Sequence, residues 1–289
     1  MFTGTYTAIV TPFNQDGSID YGALKALVAW QIESGVDGIV PVGTTGESPT
    51  LDHKEHMEVI RVAAEAARGH LRVIAGTGAN ATAEALSLTR EAIEIGVDGT
   101  LQVTPYYNKP NQEGLYRHFA TIAELGLPVI LYNVPGRCSR EIELSTVVRL
   151  AQTPNVVAVK EAGGSVDRVS AIRNACDLTV LSGDDSLALP MIAVGAQGVI
   201  SVASNVAPAE VADMIRKALN GDLAQARLAH LRLYPLFRDL FIDTNPIMIK
   251  AAMAAKGLIG EFYRLPLCET SAKNREQITT TLKKLGLIN

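Results

Sequence analysis

Cysteine is scarce in this chain, and the three that occur lack any paired spacing: they are Cys138, Cys176 and Cys268. That scarcity argues against a disulfide framework and a cysteine zinc site, and it favours a reducing cytoplasm. An excess of one charge is also lacking, because the formal net charge is −4, so no nucleic acid or anionic membrane is expected as a partner. The apolar runs are too short to span a bilayer, and no secretory signal is expected from the first residues.

Histidine is sparse as well, and its distribution indicates no metal site. Of the five histidines, only His53 and His56 are close, and as i,i+3 neighbours on a predicted helix they share one face. No Glu-x-x-His pattern and no third ligand stand near them. We therefore predict no metal and interpret the pair as part of a solvated helix face.

What the chain does contain is a regular alternation of segments up to about residue 220. Short β-branched or apolar runs predict strands at 6–11, 38–42, 72–75, 99–104, 129–132, 156–160, 178–182 and 198–202. Amphipathic segments predict helices after them, at 21–34, 53–68, 82–95, 112–124, 144–152, 166–175, 187–194 and 208–219. Eight such units predict an α/β fold, the (β/α)8 TIM barrel. An open doubly wound sheet shows the same alternation and remains the structural alternative.

The pattern becomes purely helical after residue 220, with predicted helices at 223–241, 246–256 and 271–285. No Ser/Gly-rich linker marks a separate domain. We therefore expect a catalytic barrel at 1–220 and a C-terminal helical extension at 221–289 that packs on it. The active site of such a barrel lies at the carboxyl ends of its strands.

Lys160 ends one of the predicted strands, after the run Val-Val-Ala-Val. A lysine in so apolar a setting is costly unless its charge is solvated, paired or lost. Burial favours the neutral amine, which can attack a carbonyl carbon as a nucleophile. The alternative is a lysine at the barrel mouth that pairs with Glu161 or another acid.

Tyr132 ends the preceding predicted strand, after Val-Ile-Leu. Adjacent parallel strands lie about 4.8 Å apart, so residues at matching strand ends can share one reacting atom. A tyrosine hydroxyl beside an amine suits the proton transfers of imine formation. Alone, Tyr132 would be interpreted as a rim residue; next to Lys160 it becomes a catalytic candidate.

Two glycine-containing turns follow strands. Gly-Thr-Thr-Gly-Glu at 43–47 offers backbone N–H groups that can hold a small carboxylate, although a plain strand-to-helix turn has a similar composition. Gly-Thr-Gly-Ala-Asn-Ala at 76–81 matches the dinucleotide pattern, which also requires an acid at the end of the next strand. Asp98 comes before its strand, at the wrong end of the barrel, so we predict no nucleotide cofactor.

Together these motifs resemble the pyruvate-dependent class I aldolases, the superfamily that includes N-acetylneuraminate lyase. The shared elements are Gly-Thr-Thr-Gly-Glu, Tyr-Asn-Val-Pro at 132–135 and a lysine 28 residues after that tyrosine. Thr-Pro-Tyr-Tyr-Asn at 104–108, Arg137 and Ser-Gly-Asp-Asp at 182–185 are similar to the dihydrodipicolinate synthases within it. The resemblance covers essentially the whole chain.

The resemblance implies a Schiff-base carbon–oxygen lyase that condenses pyruvate with L-aspartate 4-semialdehyde, in the diaminopimelate route to lysine. Lys160 would form the imine with pyruvate, and Tyr132 would move protons through a relay of Thr44 and Tyr107. Tyr107 would reach in from a neighbouring subunit of a homotetramer, a dimer of tight dimers. No metal or organic cofactor is implied, because the imine is the electron sink.

The resemblance also implies where the substrates are held. The backbone of Thr45, with Ile200 nearby, would bind the carboxylate of pyruvate. Arg137 would bind the carboxylate of the semialdehyde, a role that suits a bidentate guanidinium.

A lysine effector is implied too, because many bacterial members are inhibited by lysine at a subunit interface. The matching positions are Ser48, Pro49, His53, His56, Asn80, Glu84 and Tyr106. Glu84 would meet the α-ammonium of the effector. Two positions depart from the family: Pro49 replaces a common alanine, which alters the loop backbone, and Gly163 replaces a frequent threonine.

Three alternatives remain. A sugar-acid or sialic-acid lyase shares Lys160 and Tyr132, but a positive charge at Arg137 favours a short anionic acceptor. A keto-acid sensor on the same barrel would be expected to lose one of that pair. A metal-dependent aldolase would need a ligand cluster that the sequence lacks.

Overall fold

The computed structural model describes residues 2–289, and at its centre is a closed barrel of parallel strands. The strands are β1 Gly4–Thr7, β2 Gly38–Ile39, β3 Arg72–Gly76, β4 Gly99–Val103, β5 Val129–Asn133, β6 Val156–Glu161, β7 Thr179–Ser182 and β8 Gly198–Ser201. Each strand pairs with the next, and β8 pairs in parallel with β1. That closure confirms the predicted (β/α)8 barrel and excludes the open doubly wound sheet.

Helices connect the strands around the outside of the barrel. They are α1 Tyr21–Glu33, α2 His53–Ala67, α3 Thr82–Ile95, α4 Gln112–Ala123, α5 Pro135–Cys138, α6 Leu144–Leu150, α7 Val166–Ala175, α8 Asp185–Ala193 and α9 Pro208–Leu219. Single 3-10 turns lie at Ser48–Thr50 and Ala203–Asn205. Within residues 2–289 no helix combines the length and apolar character needed to cross a membrane.

The boundaries of some elements differ from the prediction. β1 begins at Gly4 rather than residue 6, because Gly4 is in register with Gly198 of β8. β2 is only two residues long, and Pro41 beyond it has no N–H with which to continue the ladder. Val42 then takes a φ of 55°, at the start of the turn. The short helix α5 was not predicted, because four residues show no helical periodicity.

The alternation of side chains along the strands separates two buried layers. Successive strand residues point to opposite faces of the sheet. Ile130 and Tyr132 of β5 and Ala158 of β6 belong to a small buried cluster in the barrel interior. Leu131 belongs to the large cluster between the strands and the surrounding helices. Lys160 shares the parity of Ala158, so its side chain faces the interior at the carboxyl end of β6.

The C-terminal extension consists of α10 Leu223–Asp239, α11 Ile247–Ala255 and α12 Ala272–Leu285. Helix α10 packs against α8 and α9 of the barrel and against α12, and α11 also packs against α12. The helical extension on the barrel is as predicted, whereas the division of the chain at residue 220 stays a prediction.

Candidate active site

Lys160 and Tyr132 are direct neighbours at the carboxyl ends of β6 and β5. The two residues are register partners in the parallel ladder. The Lys160 Nζ lies 4.1 Å from the centroid of the Tyr132 ring, and both side chains are 6% exposed. A primary amine and a phenol therefore meet in a site that is largely shielded from water.

Glu161, the acid that could have paired with Lys160, is occupied elsewhere. Its buried carboxylate accepts hydrogen bonds from Asn133 Nδ2 at 2.9 Å and Arg168 Nε at 2.8 Å. The backbone N–H of Gly163 donates to the same carboxylate at 2.7 Å, and a Cβ at Gly163 would lie 2.6 Å from Glu161 Oε1. Glycine at 163 therefore leaves room for this network, which holds the end of β6.

Two further acids follow β7 where α8 begins, close enough to Lys160 to interact with its charge. Burial raises the pKa of Asp184, and the positive charge of Lys160 opposes that shift. Burial also raises the pKa of Asp185, although this carboxylate accepts hydrogen bonds from Ser201 Oγ and from the N–H groups of Val202 and Ala203. Asp185 thus connects the start of α8 to the end of β8.

The Gly43–Glu47 turn follows β2 and lies at the same end of the barrel. Thr45 is buried, and its Oγ1 accepts a hydrogen bond from Asn245 Nδ2 at 3.0 Å. The Thr11 Oγ1 donates to the Gly46 carbonyl at 2.7 Å. Glu47 takes a left-handed φ of 57°, and its buried carboxylate pairs with Lys250 of α11. The second half of the turn is therefore fixed by groups outside it.

A cavity of about 210 Å³ opens above this end of the barrel. Three of the predicted site residues, Thr44, Tyr132 and Arg137, line it together. So do Ser48, Pro49 and Tyr106, which the resemblance assigns to the effector site; the other lining residues are Val42, Gly43, Gly76, Gly78, Leu101, Val103, Val134 and Cys138. Catalytic and effector candidates thus share one cavity wall in a single protomer.

Arg137 stands in the short helix α5, at the cavity wall. Its Nη2 donates to the backbone carbonyl of Asn245 at 2.9 Å. This single contact leaves other N–H groups of the guanidinium available to an anion. Cys138, the next residue, is buried, and burial raises the pKa of its thiol to about 11, so it is held in the neutral form.

Ile200 and Tyr107 lie in very different environments. Ile200 is fully buried in β8, where it pairs with Tyr6 in the barrel interior. The Tyr107 side chain is 90% exposed, and its backbone takes a φ of 71°. Within its own protomer Tyr107 is not among the residues that line the cavity.

The remaining effector candidates do not form one site within the protomer. Asn80 Nδ2 donates to the Tyr106 carbonyl at 3.3 Å, so Asn80 adjoins the cavity. Glu84, in the first turn of α3, is close enough for its charge to add to the burial that raises the pKa of Tyr106. His53 instead lies on the outer groove between α2 and α3, with Nε2 at 2.6 Å from Glu91 Oε1.

The interpretation of His56 as part of a solvated helix face is wrong. His56 is buried, and its Nε2 lies 2.7 Å from the Gly76 carbonyl oxygen. Burial lowers the pKa of His56 to about 4, so the ring is neutral at physiological pH. The cause is helical geometry: His56 falls on the same inward stripe of α2 as Val59 and Ile60.

The glycines of the dinucleotide-like stretch have a packing role. A Cβ at Gly76 would lie 2.2 Å from the Val42 carbonyl oxygen, and one at Gly78 would lie 2.3 Å from the Val103 nitrogen. The carboxylate of Asp98 accepts from the Val73 N–H at 2.7 Å, at the amino end of the barrel. Within residues 2–289, no group of three or more His, Cys, Asp or Glu side chains is arranged to hold a metal ion.

Three residues of this site were given no role by the sequence: Asn245, Lys250 and Asp185. The first two lie in the extension and contact the turn after β2, about 200 positions earlier in the chain. No periodicity or spacing could have indicated those contacts. Asp185 lies in the Ser-Gly-Asp-Asp stretch, which was noted only as part of a resemblance.

Comparisons with known proteins give matches along nearly the whole chain. A family model described as the dihydrodipicolinate synthetase family matches residues 1–285. The 4-hydroxy-tetrahydrodipicolinate synthase of Thermodesulfovibrio yellowstonii is 48% identical over 100% of both chains. A solved 4-hydroxy-tetrahydrodipicolinate synthase from Methylacidiphilum fumariolicum SolV is 52% identical, with a TM-score of 0.97 over 99% of this chain and 96% of that one.

A third relative is the solved structure of DHDPS from Cyanidioschyzon merolae with lysine bound. It is 42% identical, with a TM-score of 0.96 over 99% of each chain. These matches span the barrel and the helical extension together. The chain belongs to the dihydrodipicolinate synthetase family.

Proposed function

We propose that this protein condenses pyruvate with L-aspartate 4-semialdehyde, the 4-hydroxy-tetrahydrodipicolinate synthase reaction of the diaminopimelate route to lysine. The observation that carries the proposal is the Lys160–Tyr132 pair, with the amine 4.1 Å from the phenol ring beside the cavity that Arg137 lines. Relatives of this name that match the chain over its full length support the same reaction.

The pair suits imine chemistry. The Lys160 amine, once it has given up its proton, adds to C2 of pyruvate, and loss of water gives a protonated imine. That imine draws electrons from the neighbouring methyl group, which loses a proton to become an enamine. Tyr132 moves these protons at the amine and at the carbinol oxygen, with Thr44 and Tyr107 as the proposed relay.

The enamine carbon then attacks the aldehyde carbon of the semialdehyde. The amino group of the same substrate attacks the imine carbon and releases Lys160, which closes the heterocycle. Overall one molecule of water is lost. The Thr45 backbone and Ile200 would hold the carboxylate of pyruvate, and Arg137 would hold that of the semialdehyde.

The cavity argues for small substrates over the sugar-acid alternative. Its volume of about 210 Å³ is below the roughly 300–1,000 Å³ of pockets that enclose drug-sized ligands. A keto acid and a four-carbon aldehyde suit that space, and Arg137 provides a cation for an anionic acceptor. No comparable feature of the described residues favours a long polyhydroxylated aldehyde.

The test is pyruvate consumption with the semialdehyde, beside N-acetylmannosamine and glyceraldehyde as competing acceptors. We expect rapid turnover with the semialdehyde alone. Borohydride should trap the pyruvate imine on Lys160, and Lys160→Ala should abolish the label. A preference for a sugar aldehyde, or a label on another residue, would overturn the proposal.

A homotetramer built from tight dimers is part of the proposal. The side chain of Tyr107 is 90% exposed on a backbone with φ 71°, as expected of a residue that completes the site of a neighbouring copy. Sedimentation at micromolar concentration tests the assembly. We also expect a cytoplasmic enzyme, in agreement with its three free cysteines.

We also propose that lysine inhibits the enzyme. The relative from Cyanidioschyzon merolae with lysine bound supports this, as do Ser48, Pro49 and Tyr106, which line the cavity beside Tyr132. In this protomer His56 is bonded to Gly76 and His53 to Glu91, so the histidines would join the effector site only with a change of partner. A flat rate across a millimolar lysine titration would remove the proposal.

A further inference from the structure

Asn245 connects the helical extension to both substrate-binding parts of the active site. Its side-chain Nδ2 donates to Thr45 Oγ1 at 3.0 Å. Its backbone carbonyl accepts from Arg137 Nη2 at 2.9 Å. The residue is 5% exposed, so water does not compete strongly for either contact. One residue therefore touches the group proposed for the keto acid and the group proposed for the aldehyde.

The contact with Thr45 determines where the threonine hydroxyl points. Because Oγ1 accepts a hydrogen bond from Asn245, its own proton is free to be donated to a different acceptor. The carboxylate of pyruvate, proposed to lie against Thr45, is such an acceptor. A side chain at 245 that accepted instead of donating would turn the proton of Thr45 away from the keto acid.

The amide oxygen of Asn245 indicates that this residue does more than stabilise the fold. Its Oδ1 is buried and has no hydrogen-bond partner among residues 2–289. A buried acceptor without a partner destabilises the folded state, so a hydrophobic side chain would suit this position better if packing were its only role. The donor atom of the amide is the part that makes a contact.

A second contact holds the same turn to the extension. Lys250 of α11 pairs with Glu47, and both side chains are fully shielded from solvent. The Lys250 Nζ also donates to the Phe262 carbonyl at 3.0 Å. Glu47 is two residues after Thr45, so this ion pair limits movement of the backbone while Asn245 orients the hydroxyl.

We propose that Asn245 is a positioning residue of the active site, which orients the Thr45 hydroxyl toward the keto-acid carboxylate through its amide and steadies the Arg137 guanidinium through its backbone carbonyl. The inference rests on the proposed function. It makes the extension a part of the substrate site rather than only a covering of the barrel.

The main test is Asn245→Asp, which keeps the shape and replaces the donor by an acceptor. At about pH 8 we expect the KM for pyruvate to rise at least tenfold, equivalent to about 1.4 kcal/mol. As the pH falls, protonation of the introduced carboxyl restores an O–H donor, so the KM should return toward the wild-type value. A packing role alone would give no such recovery. An unchanged pyruvate KM would overturn the inference.

A double-mutant cycle covers the case in which the Asp variant does not fold. Asn245→Ala should raise the pyruvate KM in the wild-type background and have little effect in a Thr45→Val background, because the partner hydroxyl is gone. Fully additive effects would mean that Asn245 does not act through Thr45, and the inference would be wrong.

The chain offers a matched control within the same extension. Asn274 Nδ2 donates to Thr270 Oγ1 at 3.0 Å, the same type of bond at the same length. Asn274→Ala should leave both KM values unchanged, and a rise equal to that of Asn245→Ala would count against a specific role. Borohydride labelling of wild-type Lys160 is measured in parallel. Absence of that label refutes the proposed function. If the label is present but the KM for pyruvate is unaltered in Asn245→Asp, only the role of Asn245 is refuted.

Discussion

The buried ion pair between Glu47 and Lys250 allows a prediction about stability and its dependence on pH. Both side chains are fully shielded from solvent, and Lys250 Nζ also lies 4.1 Å from the centroid of the Phe13 ring. Burial raises the pKa of Glu47 and lowers that of Lys250, and in each case their mutual attraction opposes the shift. The perturbation is Lys250→Met, which replaces the side chain by an unbranched one that is a single atom shorter and removes its charge.

The variant leaves Glu47 buried without its cation. Breaking a buried pair in this way costs about 3–5 kcal/mol while the remaining group is charged. Loss of Lys250 also removes an interaction that lowers the pKa of Glu47, so that pKa rises further. An acid whose pKa is higher in the folded than in the unfolded state binds extra protons on folding. Stability is therefore greatest below the unfolded pKa and is lost as pH rises, by up to about 1.4 kcal/mol per pH unit.

The assay is urea unfolding of wild type and Lys250→Met at about pH 8 and about pH 5.5. We expect the free energy of unfolding of Lys250→Met to be about 3–5 kcal/mol below that of the wild type at the higher pH. The difference should be clearly smaller at the lower pH. Lys217→Met removes an exposed partner of Asp213 and serves as the control, with an expected change within about 0.5 kcal/mol. If the loss of unfolding free energy is small or does not depend on pH, Lys250 does not compensate a buried charge on Glu47.

Three further predictions test individual side chains. Tyr107→Phe should lower kcat without unfolding the protein, and unchanged kinetics would count against the proton relay. Arg137→Lys loses the planar guanidinium and should lower kcat/KM for the semialdehyde by about 10–100-fold, while borohydride trapping of pyruvate stays intact. Burial lowers the pKa of His118 to about 4, so its contribution to stability is present above the unfolded pKa of about 6.5 and is lost as pH falls toward 4. His118→Gln should flatten that part of a pH–stability curve, and an unaltered curve would mean that burial of this ring does not produce the loss.

The adjacency of Lys160 and Tyr132 could be predicted because it depends on a regular feature of the barrel. Lys160 and Tyr132 each follow an apolar run that is buried as a strand, and parallel strands end at the same edge. Two successive strand ends are therefore adjacent whatever the surrounding loops do. The motif at 43–47 is found at the same edge for the same reason.

The rest of the site depends on contacts that leave no local pattern. Asn245 and Lys250 reach the turn after β2 from the extension, and the sequence holds no periodicity that relates positions 200 apart. His56 shows a second limit of prediction from sequence, which concerns the orientation of a residue on its helix. The i,i+3 spacing correctly places His53 and His56 on one helix, but only His56 falls on the stripe that faces the barrel.

The two parts of the candidate site stand on different kinds of structure, one on paired strands and the other on segments that contact the extension. The amine and the phenol stand on paired strands, so their separation is determined by the ladder. The groups proposed to meet the substrate carboxylates are Thr45, in the turn after β2, and Arg137, in the short helix α5, and both contact Asn245 of the extension. We therefore expect changes in the turn, in α5 or in the extension to alter which aldehyde is accepted, while the imine formation proposed at Lys160 is preserved.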